Sequence, residues 1–82
     1  MTIQYPLSNE KSITLMETGN KLAFIVDVSA TKTEIKHAAE DMLDCKVKKV
    51  NTMITPQGKK KAYIQFDENT PAVDIATNLG VL

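Results

Sequence analysis

The chain changes its hydrophobic period several times along its 82 residues. From Lys21 to Val28 the period is two. Leu22, Phe24, Val26 and Val28 fall on one side, and Ala23, Ile25 and Asp27 on the other, which is the pattern of a strand. Both sides are largely apolar, so the pattern predicts a strand covered on both faces. Ile35, Ala38, Ala39, Met42 and Leu43 then recur at i, i+3, i+4, i+7 and i+8, the stripe of an amphipathic helix. This helix leaves Lys32, Lys36, His37, Glu40 and Asp41 toward solvent. Thr31-Lys32-Thr33-Glu34 before it has capping-box spacing, in which the Thr31 hydroxyl accepts from the Glu34 amide and the Glu34 carboxylate reaches back. Val47 to Ile54 and Ala62 to Phe66 read as two further strands. Thr55-Pro56-Gln57-Gly58 between them places proline and glycine for a turn, so the pair is a hairpin.

The ends carry weaker patterns. Residues 1 to 7 read as extended, because Pro6 keeps Tyr5 out of the helical region. Ser8 suits an N-cap and Glu10 suits the first turn of a short helix. Ile13 and Met16 share a face of that helix, and Gly19-Asn20 ends it. Near the other end, Thr70-Pro71 reads as an N-cap followed by proline at the first helical position. Val73, Ala76 and Leu79 line one face of this last helix, and Gly80 stops it.

The strand-helix-strand unit from Val28 to Val47 predicts two parallel strands with a right-handed crossover. The second hairpin strand, Ala62 to Phe66, can lie outside this pair or insert between its members. Insertion buries Ala62, Ile64 and Phe66 at the sheet centre and is the preferred arrangement. The expected fold is α/β (α+β): a small antiparallel or mixed sheet of three to four strands, split β-α-β type, with helices packed on it. The length fits one domain, residues 1 to 82, with a modest core.

Composition narrows the function by exclusion. No apolar run approaches the roughly 20 residues of a membrane span, no stretch resembles a signal peptide, and membrane insertion is not expected. One cysteine cannot form an internal disulfide, which fits a reducing compartment. His37 is the only histidine, and helical geometry turns it away from the apolar stripe. Cys45 lies at a helix-to-strand junction, where a small buried thiol is commonplace. One Cys and one His do not make a metal site. Asp41 and Asp44 fit a solvated acidic helix end better than an acid/base pair. Singly scattered glycines form no phosphate-cradling loop. No catalytic residue, metal or cofactor is expected.

Charge is more informative. The formal net charge is zero, yet it is strongly segregated. Met1 to Asp44 holds four lysines and seven acids; Cys45 to Phe66 holds six lysines and no acid; Asp67 to Leu82 holds three acids and no lysine. A polyanion can use such a field. Lysines on an edge strand also block sheet-to-sheet association, and charge alone does not choose between the two readings. Arginine is absent, so lysines act as point charges and bidentate reading of guanine is closed to this chain.

The hairpin carries the candidate chemistry. Strand parity points Lys48 away from the core with Lys46 and Val50, and sets Lys49, Asn51 and Met53 on the other side. Asn51 and Thr52 add neutral donors and acceptors beside the cations, a composition common on RNA-docking surfaces. Tyr63 follows the Lys59-Lys60-Lys61 triplet by two positions. Its ring can stack on a base or pack against the sheet, and packing is the slightly favoured alternative.

Five segments together resemble a known family. They are Pro6-Leu7-Ser8-Asn9-Glu10-Lys11, the Asn20 to Asp27 run, Ala30-Thr31-Lys32-Thr33-Glu34-Ile35-Lys36, Lys46-Val47-Lys48-Lys49-Val50-Asn51-Thr52, and Gly58-Lys59-Lys60-Lys61-Ala62-Tyr63. In this order and spacing they resemble the universal large-ribosomal-subunit protein twenty-three family over about Tyr5 to Leu82. The short Thr55 to Gly58 turn is similar to the archaeal form, since the bacterial form usually has a longer basic loop there.

The resemblance implies a small α/β sandwich and a structural, non-enzymatic role in the large subunit of the cytoplasmic ribosome. It implies ribosomal RNA and neighbouring ribosomal proteins as partners, with a place beside the nascent-chain tunnel exit. There the family offers a docking point for factors such as signal recognition particle. By position, Asn9 and Glu10 match the factor-docking segment. Lys32 and Lys36 match helix positions near RNA, and Asn51, Thr52 and Lys59, Lys60 and Lys61 match the hairpin that enters RNA. With Lys11, Lys48 and Tyr63 these make the expected RNA-binding set. A monomer is expected outside the ribosome. The chain departs from the family in being neutral and arginine-free, and in carrying Asn9 where Ser or Thr is common.

A stand-alone RNA-binding module and a small protein-interaction domain are the competing readings. The ribosomal reading predicts that replacing Lys59, Lys60 and Lys61 with glutamine abolishes RNA binding and leaves the domain folded. Binding assays paired with circular dichroism check both halves.

Overall fold

A computed structural model of the chain describes residues 2–80. Met1, which begins the expected extended segment, and Val81 and Leu82, which end the family resemblance, lie outside the described residues. The elements are β1 (Ile3–Pro6), α1 (Glu10–Gly19), β2 (Lys21–Val26), α2 (Lys32–Leu43), β3 (Val47–Ile54), β4 (Lys60–Phe66) and α3 (Ala72–Leu79).

The sheet order is β1-β2-β4-β3, and every neighbouring pair is antiparallel. β4 therefore inserts between β2 and β3, which run parallel to each other, as the apolar Ala62, Ile64 and Phe66 set predicted. Those three residues are at most 1% exposed. They join Leu22, Phe24 and Val26 of β2, Met16 of α1, Ile35 and Ala39 of α2, and Ala72, Ile75 and Ala76 of α3 in a single core. α2, α3 and the Met16 side of α1 thus cover one face of the sheet. Phe24, Phe66, Ile35 and Ile64 are the largest fully buried side chains, each contributing about 1.5–3 kcal/mol of burial.

The second face is less covered, with Lys11 and Leu15 of α1 lying against its Tyr63. Ala23 and Ile25 are nevertheless buried there. In the register Ile25 lies between Tyr5 of β1 and Lys61 of β4, and Ala23 lies beside Tyr63. The apolar pattern of β2 anticipated cover on both faces, and both sets of its side chains are buried.

Several local expectations shift. β2 ends at Val26, and Val28 is 58% exposed. The cause is an Asp27 turn: the Ala30 N–H donates to the Asp27 carbonyl, and the Ser29 N–H and Oγ both donate to its carboxylate. The cap of α1 is Asn9 rather than Ser8, with Asn9 Oδ1 accepting from the Ser12 N–H at 2.9 Å. The α2 capping box forms as read. Met42, however, lies on the rim of the apolar stripe and is exposed. Glu40 turns inward to accept from the Val47 N–H and ties the end of α2 to the start of β3.

α3 starts at Ala72 with Pro71 as its N-cap residue, so Thr70 does not cap it. Its inward face is Ala72, Ile75, Ala76 and Leu79, while Val73 is exposed. The reason lies 50 residues away in sequence. Asn20 closes α1 in the left-handed conformation, φ 53°. Its Oδ1 accepts from the Ala72 N–H at 2.7 Å, and its Nδ2 faces the carbonyls of Phe66, Asp67 and Thr70 at 3.1–3.3 Å. A distant side chain caps α3 and sets its rotation.

Two substitutions test these backbone devices. Asn20→Gly keeps the left-handed turn and deletes the cap, and should lower unfolding free energy by about 2 kcal/mol in urea denaturation. Asp44 closes α2 at φ 51°, a left-handed position at the helix end where a negative charge opposes the dipole. Asp44→Gly should raise stability by about 1 kcal/mol in the same measurement.

Candidate nucleic-acid interface

Strand alternation distributes the lysine triplet over two faces. Lys60 pairs with Val26 and Ile54 on the helix side, and its Nζ donates to the Ala30 carbonyl at 2.6 Å. Lys61 pairs with Ile25 and Met53 and projects on the open face. Lys59, just before β4, reaches Tyr5, with Nζ 3.1 Å from the hydroxyl and 5.8 Å from the ring centroid. The triplet is therefore not one patch. Lys60 fastens the hairpin to the start of α2, and Lys59 and Lys61 remain for an external ligand.

The hairpin turn holds this geometry. The Gly58 N–H donates to the Thr55 carbonyl, and the Lys59 N–H to the Thr55 hydroxyl. Gly58 takes φ 82°, a conformation that favours glycine. A second device lies at the far end of β3. Val47 pairs with Phe66 and Lys49 with Gln65, so Lys48 is the extra residue of a bulge. The bulge resets the parity. Val50 does not share the outward side of Lys48; both Val47 and Val50 are buried in the core. Beyond the bulge, Lys49, Asn51 and Met53 share one side as read, opposite Gln65, Tyr63 and Lys61.

The open face thus presents Tyr5, Lys21, Lys49, Asn51, Lys61 and Tyr63. Tyr63 is half-buried; its hydroxyl lies 3.7 Å from Met53 Sδ, and Lys11 Nζ of α1 stands 5.9 Å from its ring centroid. A groove of about 280 Å³ runs here, lined by Lys11, Leu15, Lys21, Asn51, Met53 and Tyr63. It contains cations, an amide and an aromatic ring, and no carboxylate.

The remaining candidates lie elsewhere. Thr52 pairs with Ala62 and faces the helix side. Lys32 and Lys36 are exposed on α2, in the layer on the far side of the sheet from Tyr63. Lys32 follows Ala30 closely, so it shares the hairpin end of the molecule with Lys60. Asn9 and Glu10 are exposed, but the Asn9 side-chain oxygen is committed to the cap of α1. Asn9 is therefore a capping position, where Ser, Thr and Asn all serve. Tyr5 and Lys21 are open-face residues that sequence reasoning passed over. The parity of β2 places Lys21 with Ala23 and Ile25 and could have found it; Tyr5 needed the pairing of β1.

Burial, with Glu40 and Asp44 nearby, pushes the Cys45 thiol up from its ordinary pKa and away from the reactive thiolate. His37 is exposed. Among the described residues no cluster of three His, Cys, Asp or Glu side chains is placed to hold a metal. Among those residues no helix is long and apolar enough to cross a membrane.

Comparison with known proteins now decides the family. The sequence model described as ribosomal protein L23 matches residues 1–75. The chain belongs to the ribosomal protein L23 family. It is 47% identical over 79 residues to a protein of the archaeon Methanococcus aeolicus named large ribosomal subunit protein uL23, covering 96% of this chain and 92% of that relative. The archaeal character read from the short Thr55 to Gly58 turn agrees with this likeness. Membership of the ribosomal protein L23 family makes the chain a structural ribosomal component rather than an enzyme.

The Lys60 contact gives a prediction that separates the triplet. Lys60→Met should destabilise the domain by about 1 kcal/mol, because it leaves the Ala30 carbonyl without its charged donor. Lys59→Gln and Lys61→Gln should each stay within about 0.5 kcal/mol of the parent. Urea denaturation of the three variants checks this.

Proposed function

We propose that this chain is a structural protein of the large subunit of the cytoplasmic ribosome that binds ribosomal RNA and contacts neighbouring ribosomal proteins. The observation that carries the reading is the 47% identity, across nearly the whole chain, to a protein named as a large-subunit component. The charge pattern supports it. Lysines concentrate on the open face and hairpin, while acids lie before and after that segment. A neutral chain can bind a polyanion in this way, because the local field rather than the net charge governs association.

The proposed RNA-binding residues are Lys11, Lys32, Lys36, Lys48, Asn51, Thr52, Lys59, Lys61 and Tyr63, with Lys60 acting mainly by holding the hairpin. On the finer level, the chain sits beside the nascent-chain tunnel exit, and the exposed start of α1 offers Glu10 to factors such as signal recognition particle. Asn9 serves that site by capping the helix that presents Glu10. Outside the ribosome the chain is a monomer.

Binding to large-subunit ribosomal RNA across a salt titration tests the reading. Six phosphate contacts at a slope of roughly −0.7 each give about a 300-fold loss of affinity between 50 and 200 mM salt. The Lys59→Gln, Lys61→Gln double variant should remove about 1.4 from that slope while remaining folded. Equal, weak and unsaturable binding by parent and variant would make these lysines ordinary surface and favour a protein-interaction role.

A further inference from the structure

The four aromatic residues divide by face. Phe24 and Phe66 are fully buried under the helices, at 0% and 1% exposure. Tyr5 and Tyr63 both stand on the open face, and each has a lysine ammonium near its ring. From this arrangement we propose that the open sheet face is a stacking platform for unpaired nucleobases of ribosomal RNA, with Tyr63 and Tyr5 as its two stacking rings and Lys11 and Lys59 as arms that pass from ring to phosphate. The inference rests on the ribosomal-RNA reading above and adds to it which face meets the RNA and how.

The geometry of the sheet sets what can bind. Tyr5 lies opposite Ile25, and Tyr63 lies opposite Ala23 two residues away on the same strand. The rings are thus two strands and two residues apart, on the order of 12 Å at standard sheet spacing. That separation exceeds the ~3.4 Å step between stacked bases several times. Duplex RNA therefore does not fit the two rings together; two splayed bases of a single-stranded segment do. Between the rings lie Ala23 and Ile25, both buried, beside Tyr5, Lys61 and Tyr63 in the register, so a base reaches this floor by displacing the side chains over it.

Lys11 stands at Tyr63 through a ring contact, and Lys59 also donates to the Tyr5 hydroxyl at 3.1 Å. Both ammonium groups stand near the outer limit of about 6 Å for a cation over a ring, on exposed side chains, where the attraction is weak. A base on the same ring is worth roughly five- to 150-fold in affinity. The base displaces the lysine, and the lysine is then free for the phosphate that accompanies it. Lys21, Lys49 and Lys61 add cations around the rings by register. The Asp27 carboxylate lies just past the end of β2, where it is held by Ser29. The groove at Tyr63, about 280 Å³ and open, is just below the ~300–1,000 Å³ of pockets that enclose a drug-sized ligand, which suits a single ring lying against one wall.

The chain supplies its own reporters. It has two tyrosines and no tryptophan, so Tyr5→Phe leaves Tyr63 as the single tyrosine emitter, and Tyr63→Phe leaves Tyr5. The test is titration of the full chain and its variants with large-subunit ribosomal RNA, followed by filter binding and by tyrosine emission corrected for RNA absorbance. Tyr63→Leu and Tyr5→Leu should each weaken binding at least fivefold, Tyr63→Phe and Tyr5→Phe should stay within twofold, and each single emitter should be quenched at saturation. Urea midpoints confirm folding of the leucine variants; if one fails to fold, quenching in the phenylalanine variants decides. Normal RNA binding with no loss in the leucine variants and unquenched emission would overturn the stacking platform and leave the face to a protein neighbour, with the RNA reading intact. Absence of saturable RNA binding by the parent would overturn the RNA reading itself and the platform with it.

Discussion

Asn20 is the point at which the two ends of the fold are joined. Its backbone closes α1 in a left-handed turn and leads directly into β2. Its carbonyl accepts from the Phe66 N–H at the end of β4. Its side chain spends every polar atom on residues 66 to 72. One residue thus fixes where α1 stops, where β2 starts, how β4 leaves the sheet and how α3 is rotated. Glycine would make the same turn, but without the amide the chain after Phe66 would lose its register to the helix layer. Asparagine tolerates the left-handed region and carries a donor and an acceptor on one short side chain, which is the combination the site requires.

This dependence explains which parts of the molecule were legible in the sequence. Periodicity identified the strands, the apolar insertion of β4 and the capping box of α2, because those features are set within a few residues. The rotation of α3 was missed because its cap lies on Asn20, far away in sequence. Parity failed at Lys48 because a bulge adds one residue, and every position beyond it changes side. Lys59, Lys60 and Lys61 read as one cluster in sequence; alternation in β4 divides them, and the long Lys60 stem carries its ammonium to Ala30. Tyr5 went unnoticed as a site residue because its place on the open face depends on the pairing of β1 with β2. The family, by contrast, was visible from short segments in order, which need no knowledge of pairing.

The split of the lysines clarifies how a neutral chain presents a basic surface. Acids are confined largely to the helices and the loops that follow the sheet, while the sheet strands carry lysine and amide. Since strands place alternate residues on opposite faces, the open face collects Lys21, Lys49 and Lys61 without any contribution from the acids on the helix layer. The sheet itself separates the two signs by a layer of apolar side chains. Segregation of charge is thus a consequence of strand alternation in a sheet whose acids lie mainly on helices and loops.

The same economy accounts for the open face. A chain of this length has enough apolar surface to build one core, and that core is used up between the sheet and three helices. The second sheet face is then left with less cover, and a large exposed apolar patch invites association. Here the face is neither fully apolar nor fully polar. Ala23 and Ile25 are buried between long side chains whose stems are apolar and whose ends are cationic or phenolic. Those stems protect the floor in the free protein, and in the proposed reading their ends meet RNA. What solubilises the domain when it is alone is therefore the same set of side chains that would hold it in a ribonucleoprotein, and the weak lysine–tyrosine contacts are where one role gives way to the other.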